Sequence, residues 1–181
     1  TMGRHINNNF SNIYLVQDEK EASEIIVSKP DELALVTQTT LSVDDTKSII
    51  SILRERFPNI KVPKNDDICY ATQNRQDAVK QLALESDYMI VVGSVNSSNS
   101  NRLKELAEKC GCKSVLIDEF EELNLSDLDG CTTISITAGA SAPEERVQEI
   151  AKALRKHTGA DINENGEDKE NIFFKLPPLL R

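Results

Sequence analysis

YMIVVGSVNSSNSNRLKELAEKCGCKSVLID, residues 88–118, decides the fold. Residues 88–93 are a short, continuous apolar run, the pattern of a strand buried on both faces. A glycine and a string of hydroxyl and amide side chains follow. Then Leu103, Leu106, Ala107 and Cys110 recur at i, i+3, i+4 and i+7, which predicts an amphipathic helix that Gly111 is placed to end. SVLID (114–118) returns to strand character. Strand, helix and strand in that order call for a parallel pair joined by a crossover.

The same alternation extends in both directions. IYLV (13–16) and LALVTQ (33–38) read as strands, and QDEKEASEIIV (17–27) as a charged helix packing through Ala22, Ile25 and Ile26. A helix is expected from Ser42 to Phe57, opened by Ser42 and Asp45 and carrying Ile49, Ile50, Leu53 and Phe57 on one face, with Pro58 and Pro63 beyond it. Ala78, Val79, Leu82 and Ala83 mark the next helix. TTISIT (132–137) is the last expected sheet strand, and Pro143 is expected in the first turn of a helix bearing Val147, Ile150, Ala151 and Leu154. The fold class this predicts is α/β, a parallel sheet of βα units.

Four polar clusters stand where strands give way to helices: TQTTLS (37–42), DDICYATQNRQ (66–76), GSVNSSNSNRL (93–103) and ITAGASAPEE (136–145). Ligands of an open parallel sheet bind at the carboxyl ends of its strands, so four such junctions on one edge would compose one site. The densest is Ser97, Ser98, Asn99, Ser100 and Asn101, beside the amides of a helix start. A helix needs a single N-cap, and five capping-type residues in succession suit a phosphate cradle better than capping alone. Gly139 and its small neighbours permit close approach of a ligand, with Ser141 just ahead of Pro143; ordinary capping explains that segment as well. Thr39 and Thr40 either face a ligand or cap the next helix. Cys69 stands at a helix N-terminus, a setting for a reactive thiol, although a lone cysteine is commonly a small buried hydrophobe. Cys110 and Cys112 form a C-x-C with no second pair, and Cys110 falls on an apolar helix face, which favours the core over a metal. Cys131 has no ligand-like context; His5 is isolated, and His157 suits a helix C-terminus.

Composition excludes several classes. With 39% hydrophobic residues the 181-residue chain can bury a core, and 21 Lys and Arg against 30 Asp and Glu give a net charge of −9, with few aromatic residues. Nucleic acid is not an expected partner, nor a membrane: no run approaches the roughly 18 apolar residues a span needs. An anionic small ligand remains compatible, because backbone N–H groups and helix dipoles act locally. Four cysteines do not make a disulfide framework, which points to a reducing compartment, the cytoplasm or an organelle. The polar, turn-rich opening TMGRHINNNFSN reads as a chain that starts part-way through a longer one. GADINENGEDKEN (159–171) reads as an acidic surface linker, and IFFKLPPLL (172–180) as a segment that docks on a neighbouring domain.

The four clusters, with LID (116–118) between the third and fourth, closely resemble in order the family of 4-hydroxy-3-methylbut-2-enyl diphosphate reductases, over the C-terminal part of that family's length. The resemblance implies a three-domain, trefoil-like iron–sulfur reductase of similar α/β units. Residues 1–65 would be the later half of its middle domain, 66–158 the third domain and 159–181 the docking tail. It implies reductive dehydroxylation of (E)-4-hydroxy-3-methylbut-2-enyl diphosphate to isopentenyl and dimethylallyl diphosphate at a [4Fe–4S] cluster, the last step of the non-mevalonate pathway. Cys69 would be one of three cluster ligands, Ser97, Ser98, Asn99 and Ser141 would hold the diphosphate, and Thr39 would contact the substrate near its hydroxyl and support proton delivery. A ferredoxin or flavodoxin would donate electrons, in a bacterial cytoplasm or a plastid stroma. The other two cysteines, the diphosphate-binding histidines and a proton-donating glutamate match nothing in these residues, so the 181-residue chain alone is expected to be inactive. A phosphate-binding α/β module without redox chemistry, or a non-catalytic fragment, are the competing readings.

Overall fold

A computed structural model describes residues 13–63 and 68–163. Its sheet has three parallel strands in the order β2–β1–β3, with β1 at Tyr88–Val92, β2 at Lys113–Ile117 and β3 at Ile134–Ala138. Tyr88 pairs with Lys113 on one side and Ile134 on the other, and Val92 with Ile117 and Ala138, so all three strands end level. The central strand is buried along its whole length, which its unbroken apolar sequence requires.

Alternate residues of β1 feed opposite cores. Met89 and Val91 pack with Val79 and Ala83 of α3 (Tyr70–Glu85) and with Leu103, Leu106 and Ala107 of α4 (Ser98–Lys109). Tyr88, Ile90 and Val92 pack with Ile150 and Leu154 of α5 (Glu144–Thr158), and with Leu123 and Leu128 from the connection after β2. Each fully buried aliphatic side chain here is worth about 1.5–3 kcal/mol relative to exposure, so the two-sided sandwich fixes where the strand ends lie. Cys112 is buried and Cys110 partly buried in the first core, as the periodicity anticipates. Helix α4 stops where Gly111 takes φ +89.

Residues 13–63 pack around a smaller cluster in which Ala22 of α1 (Glu19–Glu24) meets Leu53 of α2 (Val43–Arg56) and Phe57 just beyond it. Ser42 caps α2, its hydroxyl accepting from Asp45 N–H, and Arg56 donates to the carbonyls of Ala22 and Ile25 at the end of α1. The structure departs from expectation here. Neither 13–16 nor 33–38 forms a strand; the latter makes one parallel bridge, Ala34 to Lys61, with N–H donation from Leu35 to Lys61 and from Lys61 to Leu33. A strand needs a ladder partner, and one bridge does not make a ladder. Helix α1 is shorter than 17–27, and Pro143 is the N-cap of α5 rather than a residue of its first turn. The expected linker and docking tail lie outside the described residues from 164 onward.

Buried and bridging polar contacts join this unit to the sheet unit. Gln76 Nε2 of α3 donates to Leu41 O at 2.8 Å, Cys69 N–H donates to Thr39 O at 3.1 Å, and Lys80 pairs with Asp44 at 2.6 Å. Lys109 at the end of α4 pairs with Asp45 at 3.1 Å.

Candidate functional site at the carboxyl edge of the sheet

Just past the strand ends the chain turns sharply at two glycines that lie side by side. Gly139 N–H donates to Val92 O at 2.9 Å and Gly93 N–H to Ile117 O at 2.8 Å, so the ladder runs one residue beyond the formal strands. The first turn of α4 comes down on this pair. A Cβ built on either glycine would fall on Ser100 Oγ. Gly139 needs no left-handed backbone, so what it requires is space.

Helix α4 starts where it does because Ser97 caps it, its Oγ accepting from Ser100 N–H at 3.3 Å. The approach loop is tied down from within: Asn101 Nδ2 donates to Val95 O at 2.7 Å and Ser97 O at 2.9 Å, and Ser97 N–H closes a turn onto Ser94 O. Ser98 is left exposed, and its Oγ lies 3.1 Å from Thr40 Oγ1. Asn99 and Ser100 are buried, at 6% and 0% exposure, yet Asn99 Oδ1 and Nδ2 and Ser100 Oγ have no hydrogen-bond partner. An unsatisfied buried amide costs about 1–3 kcal/mol and calls for an explanation. A polar ligand seated against the helix start would satisfy it.

The other junctions close around this point. The turn at 38–41, with Leu41 N–H donating to Gln38 O, carries Thr39, whose carbonyl accepts from Cys69 N–H. Cys69 is the N-cap of α3, exposed, and makes no side-chain capping bond, so its thiol is available. Ser141 is exposed in the turn after Gly139, where Ala142 N–H donates to Gly139 O. Thus the structure links Thr39 to Cys69, Thr40 to Ser98, and Asn99 and Ser100 to Gly139. Sequence reasoning gave no role to Gln76, although a glutamine in phase with Thr72, Val79 and Ala83 on the buried face of α3 was a visible signal.

Two further observations bound what the site can hold. Among the described residues there is no group of three His, Cys, Asp or Glu side chains that could hold a metal ion. A cleft of about 620 Å³ lies at the opposite edge of the sheet, where Tyr88 and Lys113 begin their strands beside Cys112, Asp127 and Asp129. Burial raises the Tyr88 phenol, helped by Asp127, and burial raises the Cys112 thiol, which keeps both neutral. We place the chemistry at the carboxyl edge, where the unsatisfied polar atoms are. No helix among the described residues is long and apolar enough to cross a membrane.

Comparison with known proteins shows the family. Residues 1–155 match the family described as LytB protein. The chain is 55% identical over 181 residues to the 4-hydroxy-3-methylbut-2-enyl diphosphate reductase of Pseudomonas entomophila (strain L48), covering all of this chain and 58% of that protein. It is 53% identical over 181 residues to the same-named protein of Alcanivorax borkumensis, again covering 58% of it. The solved structure of the E-1-hydroxy-2-methyl-but-2-enyl-4-diphosphate reductase from Plasmodium falciparum is similar at a TM-score of 0.73 and 32% identity, over 78% of this chain and 45% of that one. The chain therefore spans a little over half the length of the curated relatives it matches.

Proposed function

The chain belongs to the LytB protein family, and from that premise we propose that its carboxyl-edge site binds the diphosphate of an allylic substrate as part of a 4-hydroxy-3-methylbut-2-enyl diphosphate reductase. The observation that carries this is the buried, unpartnered amide of Asn99 beside the first turn of α4. A helix N-terminus attracts anions through its dipole and its free N–H groups. Ser97, Ser98 and Ser141 add hydroxyl donors around the same opening, and Asn99 Nδ2 supplies a donor that no protein group uses.

The reaction is reductive dehydroxylation of (E)-4-hydroxy-3-methylbut-2-enyl diphosphate to isopentenyl and dimethylallyl diphosphate: two electrons and two protons enter, the C–O bond breaks, and water leaves. A [4Fe–4S] cluster would supply the electrons and a Lewis-acidic iron when bound. Cys69 would be its one ligand from these residues, the remaining thiolates coming from sequence beyond them. The exposed thiol at the end of α3 fits that duty. Thr39, whose carbonyl accepts from Cys69 N–H, would orient the substrate hydroxyl and pass a proton toward it. A ferredoxin or flavodoxin would deliver electrons, and the three-domain arrangement of the family would enclose the site.

Calorimetric titration with inorganic pyrophosphate and with the allylic diphosphate tests the cradle. Binding of both, lost in Asn99→Leu, is expected; no binding of either at millimolar concentration sinks the reading. Cys69→Ser separates the reductase from a non-redox diphosphate module. It should leave pyrophosphate affinity unchanged while lowering iron retained after anaerobic loading of a chain that includes the remaining ligands.

A further inference from the structure

Three consecutive residues of the 38–41 turn are each held by a different part of the sheet unit. Thr39 O accepts from Cys69 N–H at the start of α3, Thr40 Oγ1 meets Ser98 Oγ at the start of α4, and Leu41 O accepts from Gln76 Nε2 in the body of α3. The first two tethers lie at exposed positions. The third is different, because Gln76 is 1% exposed and its bond spans 35 residues of sequence at 2.8 Å.

We infer that Gln76 is a positioning residue whose buried amide anchors the Thr39-bearing turn to α3, and so sets Thr39 and Cys69 in register with the diphosphate cradle. The energetic asymmetry supports this. A hydrogen bond with its donor withdrawn from water resists opening more than an exposed hydroxyl pair, which exchanges readily with solvent. Removing the Gln76 donor leaves Leu41 O without its buried partner, and the turn can then regain that hydrogen bond only by moving toward water. Such a movement draws Thr39 O away from Cys69 N–H and Thr40 away from Ser98. Apart from the exposed Ser98–Thr40 contact, the cradle is rooted elsewhere, in the Ser97 cap, the Gly93 and Gly139 turns and the buried face of α4. Cys69, Thr72 and Gln76 follow one another at i, i+3 and i+7 on α3, so the anchor and the thiol are rigidly connected through the helix. The catalytic duties of Thr39 and Cys69 rest on the proposed function; the anchoring rests on the geometry alone.

Hydrogen exchange of the intact chain, resolved to short peptides, tests it in Gln76→Leu. Exchange of the Cys69 amide and of the amides at 39–42 should accelerate at least roughly tenfold, the loss expected when a buried hydrogen bond no longer holds a segment closed. Exchange of β1 (88–92) should stay within about twofold of wild type, as should pyrophosphate affinity by calorimetry. Gln76→Asn keeps the amide but falls one methylene short of Leu41 O; it should give the same local signature and carries the test if the leucine variant does not fold. Unchanged exchange at Cys69 overturns the inference. So does acceleration at β1 in step with Cys69, which would make Gln76 a general stability residue, or a loss of pyrophosphate affinity equal to that of Asn99→Leu, which would assign Gln76 to the cradle. If wild type itself binds no pyrophosphate, the functional reading fails while the exchange measurement still decides the anchor.

Discussion

Gly139→Ala should break the site from beneath, and its cost can be worked from the contacts. The new methyl would overlap Ser100 Oγ, with Ser100 Cβ at 3.3 Å and Asn99 Nδ2 at 3.7 Å. The hydroxyl has little freedom to yield, since it also occupies the space where a Gly93 Cβ would be, and Ser100 is fully buried on a helix. Relief requires α4 to shift, and overpacking of this kind costs about 1–3 kcal/mol. A cost near 2 kcal/mol lowers the melting midpoint by about 4–8 °C in a chain of this size. The same shift carries Asn99 away from its place, so pyrophosphate affinity should fall at least roughly tenfold, about 1.4 kcal/mol. Ser100→Ala supplies the decisive comparison. By itself it removes a buried hydroxyl that has no partner and should be close to neutral. In that background Gly139→Ala meets only a carbon at 3.3 Å, which a displacement of a few tenths of an ångström accommodates. Urea unfolding of the four proteins should therefore show a favourable coupling of about 1–2 kcal/mol. Additivity within about 0.5 kcal/mol would show that Ser100 Oγ is not what makes position 139 a glycine, and the account of the glycine pair would be withdrawn.

Other consequences are more local. Asn99→Leu should leave the protein as stable as wild type or more so by about 1 kcal/mol, because it removes unsatisfied buried polar atoms, while abolishing pyrophosphate binding; a thermal melt beside a titration checks both. The hydrogen bond with Lys80 lowers the Asp44 carboxyl, and the same bond raises the Lys80 ammonium. The Asp44 contribution is complete above the ordinary carboxylate range and is lost as pH falls through its lowered value. The Lys80 contribution is complete below the ordinary lysine range and is lost as pH rises through its raised value. Both side chains are partly exposed, so Asp44→Asn should cost only about 0.2–1 kcal/mol at neutral pH, less in high salt and at either pH extreme, as urea unfolding would show. Backbone N–H donation from Thr133 and Thr132 lowers the Asp87 carboxyl at the entrance to β3, so wild-type stability should decline as acid titrates Asp87 through that lowered value. Asp87→Ala should be less stable at neutral pH and show a shallower decline in acid, readable from melting midpoints across pH.

The parallel sheet was legible because the information was local. Five consecutive apolar residues at 88–92 can be satisfied only by burial on both faces, and the four-residue phase of Leu103, Leu106, Ala107 and Cys110 leaves one helical face to cover them. The segments expected as strands at 13–16 and 33–38 are not strands, and their pairing was never local information. Whether an extended apolar segment joins a ladder depends on a partner elsewhere in space; among the described residues Ala34 makes one bridge, to Lys61. In the candidate site, the density of the string from Ser97 to Asn101 marked a polar helix start. Which members keep unused polar atoms did not follow from the sequence: Ser97 Oγ accepts at the helix start and Asn101 ties the loop, while Asn99 and Ser100 are left with unpartnered buried polar atoms. Gln76 escaped notice because a polar residue on an apolar stripe counts against burial in any periodicity argument. Its partner, a backbone carbonyl 35 residues away, is not written in side-chain pattern at all.

The proposed cradle would let a chain with 30 acidic and 21 basic residues suit a diphosphate. At physiological ionic strength repulsion from distant carboxylates is screened beyond about 8 Å, so net charge weighs on the approach of the ligand more than on its bound state. At contact the proposed cradle would act through neutral donors: hydroxyls, one amide and the start of a twelve-residue helix. The nearest cation along that helix, Arg102, is already paired with Glu105 at 2.7 Å. Such a cradle gains its selectivity from position rather than charge, since dipoles weaken quickly when misaligned. That would place the demand on geometry. The glycine pair seats α4 against the strand ends, and the bond from the buried Gln76 holds the Thr39 turn to α3 beside the ion pairs Lys80–Asp44 and Lys109–Asp45, so neutral and charged contacts together set the spacing of the two halves.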